Sequence, residues 1–175
     1  KDKPVPFEKG SDGVWSLTVG PLRPDLYAYH LVVDGVQVAD PNNQIAGFPA
    51  AMPPYSQLVV HGDGPAYYDA RDVPHGAVTR HVYHSAVTKG ERELYVYTPP
   101  GYDRSKKYPV LYLLGGSGEL PHGWIYDGRA SFIMDNLLAE RKAVPMLIVV
   151  PNNQVVHRNH PRHAELTFAT FEAEL

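Results

Sequence analysis

The second half of the chain contains the pattern that most restricts the possible folds. Residues 110–114 are a continuous apolar run that ends in a glycine-rich turn, and residues 144–150 are another such run. Between them, residues 129–140 place their aliphatic side chains at helical spacing. Continuous apolar runs are typical of strands buried on both faces. Strand, helix and strand in this order, with a further helical pattern from Thr167, predict a parallel sheet with crossover helices.

The first half has the alternating pattern of antiparallel β-structure. Asp34-Gly35 lies between two short apolar segments and predicts a type I′ hairpin, because both central residues of that turn need positive φ. Residues 61–75 are rich in Gly, Asp and Pro, and we interpret them as a linker between two units. The strands predicted in this part and just after the linker are residues 14–19, 26–33, 36–38, 56–60, 76–88 and 92–98.

Composition excludes several classes of function. The 16 Lys and Arg are outnumbered by 19 Asp and Glu, and the net charge of -3 gives no electrostatic support for a nucleic-acid partner. The chain has no cysteine, which excludes a disulfide framework, thiolate metal ligands and a cysteine nucleophile. No apolar run approaches the roughly 18 residues that a membrane span requires.

A specific motif series follows the predicted linker. Residues 92–102 read RELYVYTPPGY, residues 107–114 read KYPVLYLL, and residues 145–152 read PMLIVVPN. With Trp124 and the short motifs between them, they cover nearly all of residues 75–153. This series resembles the esterase D and feruloyl esterase group of α/β-hydrolases, which also holds enterochelin and acetyl xylan esterases. The resemblance implies a serine nucleophile activated by histidine, acting through an acyl-enzyme.

The front part carries its own motifs. Residues 12–15 read DGVW and residues 25–29 read DLYAY, and both Val33-Asp34-Gly35 and Asp40-Pro41-Asn42 follow. Together they resemble an immunoglobulin-like E-set domain, which precedes the catalytic domain in some of these esterases and is similar to carbohydrate-binding modules of glycogen-branching enzymes. The implied fold class is an incomplete E-set β-sandwich over residues 1–72, followed by the N-terminal half of an α/β-hydrolase fold over residues 73–175.

The resemblance also implies that the chain is an internal fragment. An E-set domain has about two more strands before Asp12, and the serine elbow, acid and final histidine of the esterases would lie beyond Leu175. We therefore expect none of the triad within residues 1–175 and no esterase activity from these residues alone. We expect the missing C-terminal part of the esterase as a partner, without which the apolar sheet edge would stay open and the chain would aggregate.

Gly115, Gly116 and Ser117 form the loop after the first apolar run. The sequence GGSGE nearly matches G-x-S-x-G, but an elbow serine must lead directly into a helix, and we interpret residues 120–123 as loop. By resemblance this is the oxyanion loop, with the backbone N–H of Ser117 as donor. The resembling enzymes have histidine at the position of Gly115, so an imidazole that ties this loop down is lost. The alternative is a plain glycine-rich turn.

Four aromatic and imidazole side chains are candidates for the substrate pocket. Trp124 is either a wall of the acyl pocket or ordinary core. His157, His160 and His163 follow the second apolar run, at the sheet edge where α/β folds bind ligands, and are candidates for the substrate rim. Their H-x-x-H-x-x-H spacing makes a zinc site an interpretation to consider. Against it, Pro161 interrupts a regular helix and the neighbouring arginines repel a cation. We predict no metal and no cofactor, and a solvated polar loop remains the alternative.

Other polar and aromatic residues have simpler interpretations. Asp135 comes too early to be the triad acid, so we predict a structural hydrogen bond or salt bridge. Trp15, Tyr27 and Tyr29 offer stacking surface to sugars or fill the core of the front unit.

These observations predict a serine carboxylic-ester hydrolase of the feruloyl or acetyl xylan esterase type. Its substrate would be a small ester or an acylated polysaccharide, with no nucleic-acid or membrane partner, and a secreted or periplasmic location is favoured. The alternative is a carbohydrate-binding or interaction module that acts through the E-set part.

Overall fold

The computed structural model describes residues 4–43, 46–47, 55–116, 119–157 and 159–175. The front part of the chain forms short antiparallel strands in three groups, β1–β2, β3–β7–β6 and β4–β5. These strands are β1 (Glu8–Lys9), β2 (Trp15–Ser16), β3 (Asp25–Tyr29), β4 (Leu31–Val33), β5 (Val36–Val38), β6 (Ala46–Gly47) and β7 (Tyr55–Val60).

The predicted hairpin at Asp34-Gly35 is confirmed. Val33 pairs with Val36 across the turn. Asp34 has φ 50° and Gly35 has φ 81°, the positive values that this two-residue turn requires.

Two strand predictions in the front part are wrong in extent. The predicted strand over residues 26–33 is two strands, because the chain changes partners at His30. Tyr29 pairs with Ser56 in β7, whereas Leu31 pairs with Val38 in β5. The predicted strand over residues 14–19 shrinks to β2, since its pairing with β1 is two residues long.

The rest of the chain forms one four-stranded mixed sheet with helices. Its strand order is β8–β9–β11–β10. The β8–β9 and β9–β11 pairs are antiparallel, and the β11–β10 pair is parallel. Helix α2 lies in the crossover between β10 and β11, as predicted. The elements are β8 (Ala77–His84), β9 (Glu91–Thr98), β10 (Val110–Tyr112), α1 (His122–Tyr126), α2 (Ala130–Ala139), β11 (Leu147–Pro151) and α3 (His163–Glu174).

The apolar core lies between this sheet and the first two helices. Tyr97 of β9 and Ile148 and Val150 of β11 pack with Ile125 of α1 and Met134 of α2. All five are buried, and the sheet and helices are thereby fixed against each other.

Strand β10 is placed where the sequence predicts it, but its predicted burial on both faces is wrong. Val110, Leu111 and Tyr112 are each at least 40% exposed. The physical reason is position, since within the described residues β10 has β11 on one side and no strand on the other. An apolar strand edge is therefore open in the described structure.

Two helix predictions need correction. The interpretation of residues 120–123 as loop is wrong for His122 and Gly123, because α1 begins at His122 with Pro121 at its cap, where a missing N–H costs nothing. Helix α3 begins at His163, four residues before the predicted start, because Pro161 ends the preceding loop and Glu165 suits the positive end of the helix. No described helix has both the length and the apolarity to cross a membrane.

Candidate functional site

The loop after β10 leaves the sheet at the end of the parallel pair of β10 and β11. Leu113 continues the ladder through its N–H to the carbonyl of Val149, and Gly115 and Gly116 then leave the sheet. Ser117, the predicted N–H donor, lies outside the described residues. The structure therefore describes the approach to the predicted oxyanion site, and the donor itself stays a prediction.

Two amides that follow β11 hold this loop. Asn153 Nδ2 donates to the carbonyl oxygen of Gly115 at 2.5 Å, and Gln154 Nε2 donates to that of Gly116 at 3.2 Å. The sequence interpretation expected the loop to lose an anchor because glycine replaces histidine at residue 115. Side chains from the neighbouring strand end supply that anchor instead.

Glu119 closes the loop from its other side. Its Oε2 accepts the N–H of Gly116 at 2.7 Å, and its own N–H donates to the carbonyl of Gly116 at 3.2 Å. A Cβ placed on Gly116 would lie 3.4 Å from Glu119 Cδ. The Cβ itself would be in ordinary van der Waals contact with Glu119, so only the further atoms of a larger, branched side chain would crowd the loop.

A buried arginine supports the residues that hold the loop. Arg92 of β9 donates from Nη2 to the carbonyl of Asn152, and Asn152 Oδ1 accepts the N–H of Gln154 at 2.9 Å. Arg92 is only 8% exposed, so this contact is shielded from solvent. The sequence motif around residue 92 thus links the sheet to the predicted oxyanion loop.

A groove of about 220 Å³ opens beside this loop. We call it the junction groove, because Tyr55 of the front strand β7 lines it together with residues of the loop and α1. Its lining includes Tyr55, Glu119, Leu120, His122, Trp124 and Asp127. Trp124, predicted as a pocket wall or as core, is 39% exposed and lies in this groove.

Two hydrogen bonds fasten Tyr55 and its strand to α1. The Tyr55 hydroxyl donates to Asp127 Oδ2 at 2.8 Å, and Gln57 Nε2 donates to the Asp127 carbonyl at 3.3 Å. Burial and the bond to the Asp127 carboxylate raise the pKa of Tyr55 to about 12, so the phenol remains a donor at neutral pH. Sequence reasoning missed this pair, whose members are 72 residues apart.

The three predicted rim histidines bond locally rather than converging on one point. His157 Nδ1 accepts the N–H of Asn159, His160 Nδ1 accepts that of Arg162, and His163 Nδ1 lies 3.2 Å from the Val156 carbonyl. Among the described residues, no three His, Cys, Asp or Glu side chains are placed to hold a metal ion. The substrate-rim role remains a prediction.

Asp135 has the structural role that the sequence predicts. Its carboxylate accepts the Tyr97 hydroxyl at 2.5 Å and the Gly76 N–H at 2.9 Å, and lies 2.8 Å from His75 Nδ1. Burial and this carboxylate raise the pKa of Tyr97. Asp135 therefore joins the end of the predicted linker to α2 and the sheet.

The predicted linker is bonded to α2 along its length. Asn136 Nδ2 donates to the carbonyls of Tyr67 and Asp69, both at 2.9 Å, and Arg71 pairs with Glu140. Residues 62–76 contain no strand or helix. They are nevertheless held against α2 by these bonds to two backbone carbonyls and one side chain.

Comparison with protein families and curated proteins identifies relatives of this chain. Residues 85–174 match the family model described as "Esterase". The endo-1,4-beta-xylanase/feruloyl esterase of Xylanibacter ruminicola is 33% identical over 151 residues, which are 82% of this chain and 20% of that protein. The endo-1,4-beta-xylanase Y of Acetivibrio thermocellus is 28% identical over 108 residues, 61% of this chain and 10% of that protein.

Solved structures extend the comparison to the fold. A ferulic acid esterase from Anaeromyces mucronatus, in complex with ferulic acid, matches with a TM-score of 0.54 and 29% identity, over 62% of this chain and 44% of that one. The enterobactin esterase of Shigella flexneri matches with a TM-score of 0.50 over 79% of this chain and 35% of that one, and at 15% identity it shows the fold alone. The chain thus spans less than half the length of each of these relatives.

Proposed function

The chain belongs to the esterase family, with an α/β-hydrolase fold in its second part, and from that premise we propose that the protein hydrolyses carboxylic esters of the feruloyl or acetyl xylan type. A serine attacks the ester carbonyl, a histidine takes its proton, and the resulting acyl-enzyme is hydrolysed by water. Gly115, Gly116 and Ser117 form the loop that supplies a backbone N–H to the oxyanion.

One observation carries this proposal, the fixed geometry of the loop after β10. In α/β-hydrolases one oxyanion donor comes from the loop after the third strand of the sheet, and β10 is the third strand of this sheet along the chain. Asn153 and Gln154 hold the two glycine carbonyls, so the stretch of loop that leads to the proposed donor is anchored to the end of β11. Preorganised donors stabilise developing negative charge in the transition state, and an anchored loop favours such a role for Ser117.

The triad belongs to the proposal as well. We place the serine, histidine and acid outside residues 1–175. Asp135 is committed to Tyr97 and Gly76, and the three histidines bond to their own loop and helix start. Ser117 is separated from the start of α1 at His122 by four residues, so it does not lead directly into a helix as an elbow serine does.

The two-unit organisation is also proposed, with residues 1–72 as an E-set unit and residues 73–175 as esterase. The match to the Xylanibacter ruminicola protein supports it, because 82% of the chain is more than the second unit alone contains. The polar bonds from Gln57 and Tyr55 to Asp127 fit two units that pack through a polar interface.

The names of the relatives support the substrate class. Both curated relatives are xylanases by name, and one is also a feruloyl esterase. An ester-linked acyl group on a plant polysaccharide, or a small ester of the same acid, is the corresponding substrate. Such a polymer lies outside the cell, so a secreted or periplasmic location fits the proposal.

Serine labelling tests the proposal directly. The full-length protein is assayed with methyl ferulate and an aryl acetate, then treated with a fluorophosphonate and digested for mass spectrometry. We expect turnover, loss of turnover on labelling, and a labelled serine other than Ser117. A label on Ser117 that Ser117→Ala removes would make this loop the nucleophile elbow, and absence of turnover on every ester would contradict the function.

A carbohydrate-binding role of the front unit is the second candidate. Trp15 is 60% exposed on β2, and Lys9 lies 5.8 Å from its ring centroid. Tyr27 and Tyr29 are less suited, because their hydroxyls are engaged by Arg23 and Asp40. A polysaccharide pull-down in which Trp15→Ala abolishes retention would favour this candidate, and unchanged retention would exclude it.

A further inference from the structure

The junction groove brings together residues that are distant in the sequence. Tyr55 comes from the front strand β7, and Trp124 and Asp127 come from α1 and its C-terminal cap. The bond from the Tyr55 hydroxyl to Asp127 closes the groove on one side. A site of this kind exists only when the front part is packed on the esterase part.

The groove also adjoins the predicted oxyanion loop. Glu119 lines the groove and at the same time accepts the N–H of Gly116. A group bound in the groove would therefore lie next to the carbonyl that the loop polarises. An ester has an acyl side and an alcohol side. The size and the charges of the groove indicate which of the two would bind there.

Size limits the ligand to about one ring. The groove measures about 220 Å³, below the roughly 300 Å³ at which pockets for drug-sized ligands begin. Trp124 and Tyr55 supply the aromatic surface on which a ring can pack. A single sugar or phenolic ring has matching dimensions, whereas a polymer would have to continue outside the groove.

The charges of the groove favour a neutral ligand with several hydroxyl groups. Asp127 and Glu119 are acceptors, and His122 is the only basic side chain among the described residues that line it. Asp127 Oδ1 is buried and has no hydrogen-bond partner within the described part of the chain. Carboxylates accept hydrogen bonds from hydroxyl groups, of which a sugar ring offers several and a feruloyl ring only one, its phenol.

We infer that the junction groove is a subsite for a neutral sugar ring on the alcohol side of the ester, with Tyr55 and Trp124 as its walls. This inference rests on the proposed ester hydrolysis and adds the role of the front part in it. Tyr55 recognises substrate from outside the esterase unit and fixes Asp127 through its hydroxyl.

Two esters of the same acid test the inference, one with the sugar and one without. In the full-length protein, Tyr55→Ala and Trp124→Ala should each raise KM about tenfold for a feruloylated arabinose oligosaccharide, which corresponds to about 1.4 kcal/mol of lost binding. KM for methyl ferulate, which has no sugar, should change less than about twofold. Tyr67→Ala, which removes an exposed aromatic ring outside the groove, should leave both values unchanged.

Binding measured without catalysis separates this inference from the proposed function. Calorimetric titration with xylobiose and arabinose should show binding that Tyr55→Ala and Trp124→Ala weaken about tenfold. Sugar binding without any ester turnover would leave the subsite standing and sink the proposed function. No sugar binding by the wild type, or equal KM increases for both esters, would overturn the subsite and indicate an acyl pocket or a structural contact.

A folding control keeps these outcomes interpretable. Each variant is first checked for an unchanged thermal midpoint. If Tyr55→Ala does not fold, Tyr55→Phe keeps the ring and removes only the bond to Asp127, and Trp124→Ala alters a side chain that is already 39% exposed. Tyr55→Phe should have a smaller effect on sugar binding than Trp124→Ala, and the reverse order would contradict the role of the rings as walls.

Discussion

Different interactions stabilise the front part of this chain and its second region, which comprises the four-stranded sheet and the helices. The second region has a buried apolar cluster that joins β9 and β11 to α1 and α2. In the front sheet of β3, β6 and β7, the buried residues among the side chains that the structure describes are Ser56 and Gln57, which are polar, and the longest strand has six residues. The second region is therefore stabilised mainly by its own apolar packing, and the front part largely by polar bonds, several of them to the second region.

Truncation in the buried cluster should give the largest difference between the two regions. Ile148→Ala leaves a cavity between sheet and helices and should cost about 2–5 kcal/mol of unfolding free energy. Leu58→Ala, in the front strand β7 and already 40% exposed, should cost less than about 1 kcal/mol. Urea denaturation of both variants measures the two values. Equal losses would show that the front part has an apolar core of comparable weight.

Removal of the buried carboxylate should have the next largest effect. Asp135→Ala leaves the Tyr97 hydroxyl and the Gly76 N–H without their acceptor, which should cost about 1–3 kcal/mol. Asp103→Ala, which removes the half-exposed acceptor of Ser105 in a surface turn, is the matched control and should cost less. Chemical denaturation compares the pair, and a larger loss for Asp103→Ala would contradict the structural role of Asp135.

Alkaline pH should weaken the second region through Tyr97. Its pKa is raised in the folded state, by burial and by the bond to Asp135, so the unfolded chain loses this proton first as pH rises. The stabilisation is complete below the unfolded pKa of about 10 and falls by up to about 1.4 kcal/mol per pH unit above it. Urea titrations from pH 8 to 11 should show a shallower decline for Tyr97→Phe. Parallel declines would exclude Tyr97 as a cause.

The smallest effect should come from the front hairpin. Gly35→Ala places a side chain at φ 81° and should cost about 1 kcal/mol, although its Cβ would meet no atom within 4 Å. Gly90→Ala, also in open space but without a positive φ, should be close to neutral. Hydrogen exchange should show lost protection in β4 and β5 only. Lost protection in β9 or β11 would mean that the two regions unfold as one unit.

Sequence reasoning predicted the features that depend on local pattern. The crossover of α2, the turn at Asp34-Gly35 and the structural role of Asp135 all follow from spacing or residue chemistry, and the structure confirms them. The esterase family was indicated by motifs that keep their order along the chain. These signals lie within single segments, where periodicity and turn chemistry act directly.

Features that depend on distant contacts were missed. Nothing near Tyr55 indicates that its hydroxyl meets Asp127, and nothing near Gly115 indicates that Asn153 replaces the absent histidine as its anchor. Helix α1 was missed because a Pro at its cap looks like a breaker when read alone. The amides after β11 were the available signal, since strand ends on one edge of a parallel pair lie close together.

The central claim is that the loop held by Asn153, Gln154 and Glu119 stabilises the oxyanion of an ester hydrolysis. Steady-state kinetics of Gly116→Val in the full-length protein, on methyl ferulate, tests it most directly. A β-branched side chain there restricts the backbone and adds two methyl groups beyond a Cβ that would already touch Glu119, so kcat should fall at least about 100-fold while KM changes far less. The matched control Gly64→Val, at a glycine with open space around it, should keep its kcat. An unchanged kcat in a folded Gly116→Val protein would place the oxyanion donor elsewhere and contradict the account.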